Sequence, residues 1–269
     1  MEGQGGNEKP REKAVTMHAA TSTGRAPAIG SRRDDPCGTH EPDSRIFLEC
    51  ASGIMGALGP EYLSGFSQRF PRIEVDCRES DDGRVDADLL SGACSIALVA
   101  SPYLRGCTVH ELYCCPACFW IPPGDPLSKK PLLEANDLAG RTVAMPGGGF
   151  KCRDRLVRYS SERGIELGEI VALNEPWRLY EFAAQGNGLA FTVRHLRESP
   201  VFSHLSDGID MAAVPIDGVS WSFGIAWREG HLPTSAERAL WEWSVDYRTT
   251  LPPDRCCNRF LKGMCTREP

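Results

Sequence analysis

The stretch "LGPEYLSGFSQRFPRIEV", Leu58 to Val75, reads as a helix that leaves through Phe70-Pro71 and passes straight into a strand. With the residues just before it, Ile54, Leu58, Tyr62, Phe66 and Phe70 recur at every fourth position. That spacing gathers apolar side chains on one helical face. Pro60 interrupts the run and marks a restart or a kink, because proline brings no N–H to the helical ladder. Upstream, "RIFLEC" is strand-like, and downstream "RIEVDC" alternates apolar and polar residues, so the segment is a strand–helix–strand unit.

The alternation continues outward from this unit. A short helix from about Val85 to Leu90 stops at Gly92, and "SIALVA" follows as a strand. "LYCCPACFW" is extended, and the loop "IPPGDPLSKKP" separates it from "RTVAMPGGG", a strand ending in glycines before a helix over about 150–163 closed by Gly164. Strand "EIVALN", helix "WRLYEFAAQG" and strand "GLAFTV" come next, then a last strand "WSFGIAWR". In "PTSAERALWEWSVDYR", Thr234 and Glu237 have the spacing of a capping box, and Leu240, Trp243 and Tyr247 share a face. Strands that alternate with helices predict an α/β fold with a parallel sheet.

Both ends of the chain read differently. Residues 1–44 are rich in Gly, Pro, Ser, Thr and mixed charge without periodicity and are expected to be disordered, and residues 249–269 form an irregular tail containing cysteines. The net charge of -6 gives no general attraction to nucleic acid or anionic lipid. No apolar run approaches the ~18 residues of a membrane span, and the amino terminus lacks the apolar core of a secretory signal. A cytoplasmic location is the expectation, and in that compartment the 12 cysteines stay as thiols.

The order of elements, with four particular words, resembles the effector-binding domain of LysR-type transcriptional regulators. The words are "LGPEYLSGFSQRFPRIEV", "LLSGACSIALV", "PPGDPL", and "AAQGNGLAFTV" with its Gly-x-Gly turn, and the resemblance puts "LYCCPACFW" on a hinge strand. The resemblance implies a two-lobed fold of the type 2 periplasmic-binding-protein kind, each lobe a Rossmann-like sheet flanked by helices. It places the effector domain at 45–248, with lobe one at 45–119 and 222–248 and lobe two at 120–221. Crossovers near 118–121 and 219–223 would form the hinge. It further implies a small, anionic effector bound in the cleft, no cofactor, and a homodimer in which the first helix and second strand meet the second lobe of a partner. Two departures stand out: Ser95 replaces the Asp common at the start of the third strand, and residues before Arg45 are too few and too polar for the family's helix-turn-helix. This chain alone is therefore not expected to bind DNA specifically.

Carboxyl ends of parallel strands are where open α/β sheets bind ligands. That rule, with the resemblance, selects Ser52 after the first strand, Ser101 after the third, Gly147 and Gly148 in "MPGGGFKCR", and Thr192 in "GLAFTV". Ser52 has the sequence context of a helix N-cap. The glycines precede a helix whose free N–H groups would favour an anion, and Lys151 and Arg153 add positive charge. "CCPAC" contains a CxxC, but it lacks the second ligand pair of a zinc site and the strand-to-helix setting of a redox centre, so Cys115 and Cys118 are expected to bind no metal and to pack as small hydrophobes. No Gly-x-Ser-x-Gly, P-loop or HExxH pattern is present. An enzyme of dehydratase or transferase type on the same fold is the alternative, and it would need an acid–base pair or nucleophile at the strand ends where the sequence offers mainly serine and threonine.

Overall fold

The computed structural model describes residues 44–194, 196 and 211–248. The expected disordered segment up to residue 43 and the tail from 249 lie outside the described residues; Ser44 itself opens the first strand.

β1 (Ser44–Ala51) leads into α1 (Ile54–Leu58) and α2 (Glu61–Arg69). The predicted helix is thus two, and the break is a restart. Gly59, at φ +81°, returns its N–H to Met55, and Pro60 then sets the entry of α2. Ile54, Leu58, Tyr62 and Phe66 are buried across the break, as their spacing requires. β2 (Ile73–Ser80), α3 (Asp82–Ser91) and β3 (Ile96–Ala100) complete the first half of the sheet. α3 begins before the predicted Val85, because the Asp81 carboxylate accepts from the Arg84 amide at 3.0 Å and caps the first turn.

β4 (Cys107–Ile121) is one strand of 15 residues. After it come β5 (Val143–Met145), α4 (Lys151–Ser161), β6 (Ile170–Ala172), α5 (Pro176–Ala184) and β7 (Leu189–Val193). β8 (Ala212–Arg228) and α6 (Ser235–Arg248) end the described chain. All eight strands join one sheet in the order β2-β1-β3-β8-β4-β7-β5-β6.

β1 pairs in parallel with β2 and β3, and β5 in parallel with β6 and β7. The antiparallel pair β4–β8 joins these two parallel sets, since Ala97–Ala100 pair with the far end of β8 and Ala117–Trp120 pair with β7. The strand expected to begin at Trp221 therefore begins nine residues earlier, at Ala212. Its continuity survives an irregularity: Pro116 pairs with Ser220 and Cys118 with Pro215, so residues 216–219 are extra on β8. Pro116 has no N–H to donate, which suits it to such a register shift. Leu133 satisfies the displaced segment, donating to Pro215 O and accepting from the Asp217 amide, both at 2.8 Å.

α6 closes the first half against α2. The Tyr62 and Ser244 hydroxyls share a hydrogen bond of 2.6 Å, Trp243 Nε1 donates to Tyr62 O at 3.0 Å, and Tyr247 donates to Leu58 O at 2.9 Å. The predicted capping box forms: Thr234 N donates to Glu237 Oε2 at 2.7 Å and Glu237 N to Thr234 Oγ1 at 3.2 Å. Beneath the sheet's other face, the buried Glu49 carboxylate meets Arg78, which also holds Asp88 at 2.9 Å.

Candidate functional site

The two halves of the sheet approach one another through the first turns of α3 and α4. The Lys151 amide, free at the start of α4, donates to Asp82 Oδ2 at 2.8 Å, and the Gly83 amide donates to Gly149 O at 3.1 Å. The Lys151 ammonium reaches across as well, to Asp86 Oδ1 and to Ala100 O, each at 2.9 Å. Gly149 makes this approach possible, because its φ is +92° and a Cβ there would stand 3.0 Å from Asp81 Oδ1. Burial pushes the Asp82 and Asp86 carboxyls above the usual range, against the pull of Lys151. The chain's own aspartate thus occupies the helix terminus at which the sequence suggested a ligand anion.

Of the five residues selected from the sequence, Ser101 is among those lining the larger cavity. Ser101 follows β3, donates its amide to Ser222 O at 2.9 Å and accepts from Arg155 Nη1 at 3.4 Å. Ser52 is exposed and does not cap α1. Gly53, left-handed at φ +91°, takes the cap position, and the Ser52 hydroxyl donates to Ser80 O at 2.9 Å instead. Gly147 donates its amide to Asn174 Oδ1 at 2.8 Å, while Gly148 is exposed with open space around it. Thr192, 3% exposed, pairs with Cys118, and its hydroxyl has no hydrogen-bond partner among the described residues. Arg153, the other cation expected at the glycine loop, points back to Pro146 O at 3.5 Å.

Ser101 lies on a cavity of about 650 Å³. One wall is the exit of β3 with Tyr103, Glu111 and Cys114, the second is α4, and the third is the extra segment of β8 through Ser222. α4 and its C-cap residue present Lys151, Arg155, Tyr159 and Glu162 to it at helical spacing. That periodicity within "KCRDRLVRYSSE" was the available signal for residues that strand-end reasoning passes over. Tyr103 donates to Glu111 Oε2 at 3.2 Å, and burial holds its phenol protonated far above the ordinary range. A smaller cavity of about 360 Å³, lined by Glu134, Asn136 and Asp217, shares Tyr159 and Arg163 with the first.

The cysteines of the described region are thiols, with Cys50, Cys94, Cys115 and Cys118 buried. Burial pushes Cys94 and Cys152 up to about 12, where the thiolate needed for nucleophilic chemistry is scarce. The CxxC lies within β4, away from any helix start. Among the described residues, no group of three or more His, Cys, Asp or Glu side chains is placed to hold a metal ion, and no helix is long and apolar enough to cross a membrane.

The family model described as LysR substrate binding domain matches residues 39–248. Comparison with curated proteins finds no match. Among solved structures, the regulatory domain of CcmR from Synechocystis PCC6803, in complex with 2-PG, is 15% identical, with a TM-score of 0.68 over 78% of this chain and 99% of that one. The effector-binding domain of QuiR, in complex with shikimate, is 15% identical with a TM-score of 0.64, covering 77% of this chain and 97% of its own. The BenM effector-binding domain, with benzoate, is 14% identical with a TM-score of 0.62, covering 84% and 96%. At these identities the likeness is one of fold.

Proposed function

Because this chain belongs to the LysR substrate-binding domain family, we propose that it is a sensor that binds a small anionic metabolite where the two halves of its sheet meet, with no reaction following. The family is regulatory, and relatives of the same fold have been seen with 2-PG, shikimate and benzoate. The observation that carries the reading is the cavity of about 650 Å³, because residues of both halves line it and Lys151 on its rim ties one half to the other. A ligand that touches both halves favours one spacing of them over others and so shifts a population. On this reading the parallel sets move as two lobes about β4 and β8, near 118–121 and 219–223. Of the residues selected from the sequence, Ser101 contacts the ligand. Ser52, Gly147, Gly148 and Thr192 line the approach to it when the lobes part.

A thermal-shift screen of small carboxylates on the full chain tests the proposal. A ligand that binds only the folded form at a hundred times its Kd stabilises it by about 2.7 kcal/mol. At least one compound should raise the melting temperature in step with its concentration. A panel of diverse carboxylates without effect at millimolar concentration would refute the sensor.

The output proposed is a change in a cytoplasmic homodimer. β2 is an edge of the sheet, with its outer backbone groups open to pairing. A monomer in sedimentation at high concentration would count against that arrangement. The sensor is proposed not to read a DNA sequence by itself, and competitor-resistant mobility shifts by the purified protein would contradict this.

A further inference from the structure

The large cavity has two charged poles that do not neutralise each other. Of the cations on α4 and the turn after it, Lys151 is held by Asp86 and Ala100 O. Arg163 is held over the Tyr159 ring, 3.9 Å from its centroid, and donates to Tyr159 O. Arg158 is exposed to water, with Asp154 and Glu162 at four-residue spacing on the same helical face. Arg155 remains: its one hydrogen bond among the described residues is the 3.4 Å contact with the neutral Ser101 hydroxyl. On the opposite wall Glu111 accepts from Tyr103 at 3.2 Å and forms no ion pair among the described residues. Pro102, Tyr159 and Val219 add apolar surface to the same lining.

A guanidinium and a carboxylate, half-buried in one cavity and partnered only by hydroxyls, gain most from a ligand that supplies both opposite charges. The geometry points to a free amino acid as the ligand class, its carboxylate on Arg155 and Ser101 and its ammonium on Glu111. This inference rests on the sensor reading and narrows it. A plain carboxylate would satisfy Arg155 and leave Glu111 facing apolar ligand atoms. A plain amine would do the reverse.

Calorimetry and thermal shift on the full chain, using the standard amino acids, their deaminated acids and their decarboxylated amines, decide the point. At least one amino acid should bind about tenfold or more tightly than either of its truncated counterparts, the usual consequence of losing a charge-assisted contact. Arg155→Met should weaken that amino acid about tenfold or more, and Glu111→Gln should abolish discrimination against the deaminated acid. The unliganded melting temperature of each variant reports folding, and Arg155→Lys serves where Arg155→Met fails to fold. If deaminated acids bind as tightly as amino acids, or Glu111→Gln keeps the discrimination, the ammonium pole is wrong and the sensor reading stands. If no member of the panel binds while another carboxylate does, the amino-acid class is wrong. If no carboxylate of any kind binds, both readings fall together.

Discussion

Replacing Lys151 with Met should destabilise the protein by about 3 kcal/mol, the lower end of the range for removing one partner of a buried ion pair. The side chains of Lys151 and Asp86 are only 13% and 15% exposed, so water does little to compensate either charge once the other is gone. Losing the ammonium also leaves Asp86 near Asp82, two carboxylates that burial already disfavours in their charged form. For a domain of this size the loss corresponds to a fall of roughly 6–12 °C in melting temperature. The effect belongs to the ion pair if the double substitution Lys151→Met with Asp86→Leu recovers most of it, since apolar replacement of both partners removes the buried charges together. A single substitution that leaves the melting temperature within 1–2 °C of the parent, by the same scaling, would show that the junction is open in solution.

Gly224→Ala should be at least as damaging. Gly224 sits on β8 between β3 and β4, paired with Val99 on one side and Glu111 on the other. A Cβ there would stand 2.4 Å from His110 O and 3.0 Å from its carbonyl carbon. These are backbone atoms of the neighbouring strand and cannot swing aside like the end of a side chain. Overpacking of this kind costs about 1–3 kcal/mol and occasionally more. The upper end or beyond is expected here, because relief requires moving the central pair of strands. Gly56→Ala is the control, for nothing lies within 4 Å of its added carbon and it sits in α1, where alanine is preferred. Equal denaturation midpoints for Gly224→Ala and the parent protein would mean that β4 and β8 are not packed as described.

The fold was legible because its signals are local. The four-residue spacing from Ile54 to Phe66, the break at Pro60 and the Thr234–Glu237 box each depend on a few neighbouring residues, and each reappears in space. The full length of β8 was hidden because residues 216–219, which include Asp217 and Gly218, are inserted opposite Ala117 and break the strand's alternation; Leu133 ties them back to the sheet. The site was less legible. Ser52 has the sequence of an N-cap, but the left-handed Gly53 takes that place. The glycine loop promises an anion, and the anion is Asp82, 69 residues away in the chain. Arg155, Glu111 and Tyr103 come together only through the crossing of β4 with β8 and the docking of α4, which no periodicity encodes.

The central claim, that ligand binding and the contact between the two halves are one event, can be read by hydrogen exchange. The full chain is measured with and without the compound that gives the largest thermal shift. Exchange should slow together at the amides of Gly83 and Lys151, which bridge the halves, and at Ser101 on the cavity wall. Slowing confined to one half, with Gly83 and Lys151 exchanging as in the free protein, would contradict it.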